Sequence, residues 1–272
     1  MQGRWPTGKR CAVGLSFDFD AETIWFRTLR QPFLGQMSRG EYGAREGVPR
    51  ILDLLRKYDL KATFFVPGWT ADKYPHLVER MHAAGHEIGH HGYEHEYVVN
   101  KGREVELEVL SKGIESLQRI TGAVPKGYRA PAGNAGPHTL ELLLDHGFTY
   151  DSSLVGGDEP YWINTPETSR PLLEVPFSWE MTDTSHFLFN YHPYYTGMSS
   201  QNKVYEIWQA ECDGAFDDGG FLSIVMHPQV IGRRSRMAML ERLIRHLQER
   251  AEVWFATHLE VAEAWLAQES VS

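Results

Sequence analysis

Two carboxylates stand two residues apart at the end of an apolar run, in Ser16-Phe17-Asp18-Phe19-Asp20-Ala21-Glu22. If that run is a strand persisting through Asp20, its alternation puts both acids on one face. Like charges held that close are unfavourable unless a cation or a proton sits between them. The segment reads equally as acids capping a solvated turn. A second cluster, Gly85-His86-Glu87-Ile88-Gly89-His90-His91-Gly92-Tyr93-Glu94-His95, contains imidazoles four apart, a spacing that lets two rings grip one metal ion. The chain has 13 histidines, and the spacing recurs as His82/His86, His86/His90 and His91/His95, so spacing does not choose among them. Arg129, in Tyr128-Arg129-Ala130-Pro131-Ala132-Gly133, offers a fixed positive charge just before a turn that frees backbone N–H groups. His227, in Val225-Met226-His227-Pro228, closes an apolar run where an imidazole can act as a general acid near neutral pH, or merely end the strand.

The elements that must carry these groups alternate short apolar runs with amphipathic stretches, the pattern of α/β architecture. Strands are expected over residues 11–19, 61–66, 86–89, 127–130, 174–179, 221–226 and 253–256. Helices are expected over 46–58, 74–84, 104–120, 139–146, 235–250 and 259–266. The clearest of them carries Leu107, Leu110, Ile114 and Leu117 on one stripe. About seven strand–helix units fit one barrel or distorted barrel spanning residues 1–272. Each chemical candidate then lies at the C-terminal end of a different strand, where such barrels build their active sites. Two irregular stretches break the rhythm. Residues 25–43 are aromatic and Arg-rich, and residues 181–200 hold Phe187, Phe189, Tyr191, Tyr194 and Tyr195 without period. Both read as lids or interface elements. Phe19, Trp25, Trp69, Tyr93, Trp162 and Trp179 are the aromatics available to shape a pocket, most of them more safely read as packing.

Composition narrows the classes. In 272 residues, hydrophobic residues at 42% and charged residues at 23% are ordinary for a folded chain with a full core. A formal net charge of -9 argues against nucleic acid or an anionic membrane as partner. Two cysteines, Cys11 and Cys212, point to a reducing compartment rather than a stapled fold. No apolar run approaches the ~18 residues of a membrane span, and Asp18 and Asp20 arrive too early for a leader. A cytoplasmic protein is expected, and a homo-oligomer is left open.

Taken together, the four segments resemble the polysaccharide deacetylase family, whose members share the NodB-homology fold. The family's first motif, Thr-Phe-Asp-Asp-Gly, is matched in altered form by residues 16–20. Its second, Gly-His-Glu-Ile-Gly-x-His-x-x-x-His, is matched by residues 85–95 and is the most specific part. Its arginine–proline–glycine motif corresponds to Arg129, Pro131 and Gly133, and its late histidine to His227. The resemblance covers about residues 10–265. It implies a distorted (β/α)7 barrel in which Asp20, His91 and His95 hold a divalent metal, Zn²⁺ being the expected ion, while His90 is not a ligand. It places Asp18 as catalytic base beside Arg129, and His227 as the acid. The Ala132 backbone N–H falls near the oxyanion, and Phe19 and Trp179 beside the substrate. Two departures stand out. Phe19 separates the family's normally adjacent aspartates; this Asp-x-Asp-Ala-Glu form resembles a branch with intracellular members and relatives acting on cyclic imides or ureides. The family's Asp–Trp motif is not recognisable, Phe177-Ser178-Trp179 being the nearest match, so the partner of His227 stays open. The resemblance implies hydrolysis of a non-peptide carbon–nitrogen bond, in a small cyclic imide or ureide or in an N-acetylated sugar. The alternatives are deacetylation of N-acetylglucosamine in peptidoglycan or chitin, and a barrel that binds a ligand without turning it over.

Overall fold

In a computed structural model, residues 4–166, 168–190 and 198–269 are described. The strand that carries the acids, β1 (Cys11–Asp18), is buried along its whole length, as expected for a strand covered on both faces. Its odd-numbered residues Cys11, Val13, Leu15 and Phe17 join the main apolar core. Its even-numbered residues are small until the end: Ala12, Gly14, Ser16, then Asp18. Small side chains on that inner face leave room for large polar ones from elsewhere. A Cβ on Gly14 would lie 2.9 Å from the His258 ring, well inside van der Waals contact.

The remaining strands are β2 (Thr63–Val66), β3 (Glu87–His90), β4 (Gly127–Tyr128), β5 (Tyr150–Asp151), β6 (Tyr161–Ile163), β7 (Leu172–Glu174), β8 (Phe221–Met226) and β9 (Val253–Ala256). The sheet runs β6-β7-β5-β4-β3-β2-β1-β8, with β9 also paired to β1. All pairs are parallel except β6 with β7. β1 meets β8 on one side; on the other it meets β9 along its first half and β2 along its second. No ladder joins β6 to β8 among the described residues, so the sheet curls into a barrel that does not close. This is the distorted barrel expected from the sequence.

The helices are α1 (Leu34–Tyr42), α2 (Val48–Lys57), α3 (Gly68–Lys73), α4 (Pro75–Ala83), α5 (Arg103–Thr121), α6 (Thr139–Asp145), α7 (Asp183–Phe187), α8 (Gln201–Asp218), α9 (Pro228–Ile231), α10 (Arg234–Gln248) and α11 (His258–Glu269). The α2 stripe of Val48, Ile51, Leu52 and Leu55 and the α10 stripe of Leu240, Leu243, Ile244 and Leu247 join the main core, which is what their 3.6-residue period requires. Helix α5 carries a glycine at its centre for a packing reason. A Cβ on Gly113 would sit 2.1 Å from His90 Nε2. The open space lets His90 reach the Leu110 carbonyl at 3.0 Å.

The structure departs from the sequence reading in four stretches. The strand expected over 174–179 ends at Glu174, because Pro176 has no N–H for a ladder. The stretch 25–43 is not a loop: a wide helical turn over Ile24–Thr28 leads into α1. Helix α8 goes unread in the sequence because only Val204, Tyr205, Trp208 and Cys212 are buried among acidic and amide neighbours. Of the aromatic stretch 181–200, Tyr191, Tyr194 and Tyr195 lie outside the described residues, while α7 occupies its first part.

Candidate active site

The acids come together as the alternation of β1 requires. His91 Nε2 lies 3.5 Å from Asp20 Oδ1 and 3.9 Å from Asp18 Oδ2. His227 Nε2 lies 3.8 Å from a carboxylate oxygen of each. The same alternation turns Phe19 the other way. It is fully buried in the main core against Tyr74, which corrects its expected place beside the substrate.

Each imidazole is held by one nitrogen so that the other faces the acids. His91 follows β3, and its Nδ1–H donates to the Arg129 carbonyl at 2.7 Å. His95 sits at a φ of 65°, an uncommon conformation for a residue with a Cβ. The Thr28 hydroxyl fixes it, 2.5 Å from His95 Nδ1 and 3.1 Å from the His95 carbonyl. The hydroxyl has one proton; donating it to the carbonyl leaves its oxygen to accept Nδ1–H. Both rings therefore present a bare Nε2. Burial pushes His91 down to about 4 and His95 well below the usual histidine value, so both are neutral at pH 7, as metal ligation requires. His90 differs: its Nε2 is committed to the α5 backbone, as expected for a residue outside the ligand set.

Ligand atoms of Asp20, His91 and His95 all lie within 4.8 Å of one another, and all three residues are buried. Asp20 Oδ1 and His91 Nε2 have no hydrogen-bond partner. Buried polar atoms left unpaired are costly. A divalent cation is the species that would satisfy a carboxylate and two neutral imidazoles at once, so this set fits a metal. Without one, burial and then the neighbouring Asp18 charge, against the pull of His227, push the Asp20 carboxyl up to about 7.

Asp18 is the opposite case. Burial works against its charge, but the Arg129 guanidinium, with His91 and His227, outweighs burial and holds the carboxyl below its usual value. Arg129 is almost fully buried. It donates to Asp18 Oδ1 at 2.8 Å, Ser16 Oγ at 2.9 Å, the Ser152 carbonyl at 3.0 Å and Ser152 Oγ at 2.9 Å. Its plane lies over Phe65 at 4.2 Å.

His227 follows β8, and the side chain that holds it is one the sequence does not reveal. Asp183, the first residue of α7, accepts from His227 Nδ1–H at 2.7 Å and from the His227 backbone N–H at 2.9 Å. Burial alone would lower the ring; Asp183, then Asp20 and Asp18, reverse this and raise it to about 9. Trp179, four residues earlier, is 46% exposed and lines the cavity. The acid thus stands apart from the tryptophan in sequence, which is why an Asp–Trp pair is not found there. Thr28 and Gln229 are further unread contributors; Gln229 Nε2 donates to Asp20 Oδ2 at 3.2 Å.

Asp18, His91, His95, Arg129, Ala132, Trp179 and His227 line one cavity of about 190 Å³, walled elsewhere by Ile24, Leu29, Tyr97, Phe177, Leu188 and Val225. Ala132 holds a φ of 52° and Gly133 one of 67°, which bends the chain around the cavity mouth. Of the other aromatics, Trp25 is core, Trp69 meets Phe26 edge to face, and Trp162 belongs to edge strand β6.

A buried acid pair, two neutral imidazoles, a buried arginine and a protonated imidazole on one apolar cavity are the parts of a hydrolytic centre. Comparison with known proteins agrees. The polysaccharide deacetylase family model matches residues 40–150. The peptidoglycan deacetylase of Helicobacter pylori is 30% identical over 95% of this chain and 97% of its own length. The chain belongs to the polysaccharide deacetylase family. Among solved structures, a Mycobacterium smegmatis protein assigned to polysaccharide deacetylases superposes with a TM-score of 0.91 at 38% identity, covering 97% of this chain and 93% of that one. The Puue allantoinase superposes with a TM-score of 0.85 at 28% identity over the same shares. As a family member the chain is a deacetylase-type hydrolase of carbon–nitrogen amide bonds. No described helix is long and apolar enough to cross a membrane.

Proposed function

We propose that this deacetylase-family chain is a metal-dependent hydrolase whose substrate is a small cyclic imide or ureide. Asp20, His91 and His95 would hold the ion, Zn²⁺ by the softness and number of the donors. The ion would supply Lewis acidity, lowering the cost of negative charge developing on a carbonyl oxygen and of deprotonating water.

The protein's own groups do the rest. Asp18, kept ionised by Arg129, accepts the proton of the attacking water. Arg129 positions that carboxylate, its N–H groups being committed to Asp18, Ser16 and Ser152. The Ala132 N–H, at the cavity wall, is assigned to the oxyanion that forms when water adds to the carbonyl carbon. His227, protonated to about pH 9 by Asp183, donates to the departing nitrogen, which is a poor leaving group without a proton. Apolar walls exclude water from the remainder of the cavity.

The observation that carries the reading is the convergence of Asp20, His91 and His95, with unpaired Asp20 Oδ1 and His91 Nε2, beside a separate ionised acid. The substrate class is supported by the cavity. About 190 Å³ is room for roughly six waters at ~30 Å³ each, which suits a single small ring, and the likeness to an allantoinase points the same way. One observation favours a second reading, an N-acetylated sugar of peptidoglycan: the full-length match to the Helicobacter pylori peptidoglycan deacetylase. Metal analysis of the purified protein, followed by turnover of succinimide, hydantoin, allantoin and chito-oligosaccharides, separates these readings. Stoichiometric zinc with ring opening supports the first. Acetate release from the oligosaccharides alone moves the assignment to the second. No bound metal and no turnover would leave a ligand-binding barrel.

A further inference from the structure

A second cavity, of about 540 Å³, lies beside the first; Gln36, Arg39, Phe187, Gln229, Arg233 and Arg236 line it. Its charge is one-sided. Arg50, Arg103, Arg119 and Arg250 each reach a carboxylate. Among the described residues Arg39, Arg233 and Arg236 reach none, although the chain carries a net charge of -9. Instead each guanidinium lies over an aromatic ring: Arg39 over Trp25 at 4.1 Å, Arg233 over Tyr42 at 3.6 Å, Arg236 over Phe187 at 4.5 Å. Stacking fixes the plane of the group and leaves its N–H edge to face a ligand. Arg39 uses part of its edge on Gln36; Arg236 gives Nη1 to the Val230 carbonyl at 2.8 Å and makes only long contacts, 3.5 Å each, from Nη2 to the Phe187 carbonyl and Met198 Sδ, which a charged ligand would outcompete.

The start of α10 compounds the imbalance. The 15-residue helix begins Arg234-Ser235-Arg236 after Arg233, with no acid in its first turn and no side-chain cap. The helix dipole already places partial positive charge there, so basic residues at that end are unfavourable. Burial, followed by the charges of its two arginine neighbours, makes protonation of Arg39 harder. The carboxylate of Asp183 is felt by Arg236, but both its oxygens are committed to His227. An anion is what this arrangement lacks.

We propose that this cavity is a second ligand site, built for a small molecule bearing a phosphate or carboxylate group gripped by the edges of Arg39, Arg233 and Arg236. Paired guanidinium N–H groups match two oxygens of either anion, and three such groups from two parts of the chain enclose it. Gln229 forms the partition with the active site. It is 5% exposed, its Nε2 donates to Asp20, and its Oε1 has no partner, which suits a ligand with a hydroxyl or N–H beside its anionic group. The site stands on the cavity and its charges, independent of which amide the enzyme hydrolyses.

Isothermal titration of metal-loaded protein with inorganic phosphate and with succinate, at ionic strength held constant with sodium chloride, tests the site. Wild type is expected to bind at least one of them, the tighter one identifying a phosphoryl or a carboxylate group. Arg39→Gln/Arg236→Gln and, separately, the exposed Arg233→Gln are expected to weaken that binding tenfold or more without changing basal turnover. Either anion bound at the catalytic ion is retained by these variants and so is distinguished. Equal affinity in wild type and both variants overturns the proposal. So does a change in oligomeric state of the variants, read by sedimentation, with no anion binding in wild type, since the arginines would then serve a second copy.

Discussion

Replacing Asp183 with asparagine changes one charge and almost no volume at the side chain that holds His227 Nδ1. The imidazole stands at about 9 where an ordinary histidine stands at 6.5. That rise corresponds to about 3 kcal/mol favouring the protonated ring. Burial opposes it, and among the raising influences Asp183 leads, ahead of Asp20 and Asp18, which lie farther off at 3.8 Å. Without the Asp183 charge the ring should fall to about 7 or below. Taking about 9 and about 7, the protonated fraction at pH 8.5 drops from about three quarters to about one thirtieth, a loss of roughly twentyfold. At pH 6 both rings remain protonated, and titration costs less than about twofold. The assay is kcat against pH from 5.5 to 10 on metal-loaded protein, because kcat reports groups in the bound complex. A bound cation lowers the limb in both proteins, so the difference between them is the readout. Asparagine offers one oxygen to the two donors that Asp183 satisfies, so the variant should also lose about 1–3 kcal/mol of stability. If kcat falls by the same factor at every pH and its alkaline limb stays in place, His227 is not the acid, or Asp183 only positions it.

Asp18→Asn and His227→Ala should each reduce kcat by about 10²–10⁴-fold while metal content, read by elemental analysis, stays near wild type; an emptied metal site in Asp18→Asn would refute the separation of base from ligands. In metal-free protein the Asp20 carboxyl is raised to about 7, above its unfolded value. Its protonated form then stabilises the fold most below about pH 4, and that contribution disappears as pH rises to 7 and beyond. Buried His91 and His95, both lowered, contribute with the opposite sign, so the readout is the difference: in thermal melts of chelator-treated protein, wild type should lose stability relative to Asp20→Asn as pH rises over that window, and parallel curves would contradict the shift. Gly113→Ala should destabilise the protein despite the roughly 1 kcal/mol that alanine gains over glycine in a helix, because its Cβ would meet His90. A denaturant midpoint equal to or above wild type would show that His90 moves aside freely.

How much of this is legible beforehand depends on whether a residue's role is set locally. Strand alternation aligns the acid pair, whereas spacing leaves three histidine pairs open and the family resemblance is what singles out His91/His95; Asp20, His91 and His95 converge in the structure. Arg129 and His227 end strands that the apolar pattern identifies. Phe19 shows a local rule carried only halfway: the alternation that aligns Asp18 with Asp20 already sends the residue between them into the core. Asp183, Thr28 and Gln229 could not be found this way. Asp183 reaches His227 because Thr182 bridges to Val225 beside β8, a contact across 44 positions with no repeat or periodicity to announce it. Helix α1 is hidden by two glycines and a serine, poor helix formers, and is held by tertiary packing: Gly40 lies against the backbone of Ala21 and Glu22 so closely that a Cβ would meet it at 2.5 Å.

The triple pairing of β1 decides where the molecule yields first. Partners on both sides along its length make its amides among the last to exchange with solvent deuterium, on the timescale of global opening. His95, by contrast, hangs in a turn pinned by one threonine hydroxyl. Fluctuations that release an ion would then begin on the imidazole side, with the carboxylate at the strand end the last donor to let go.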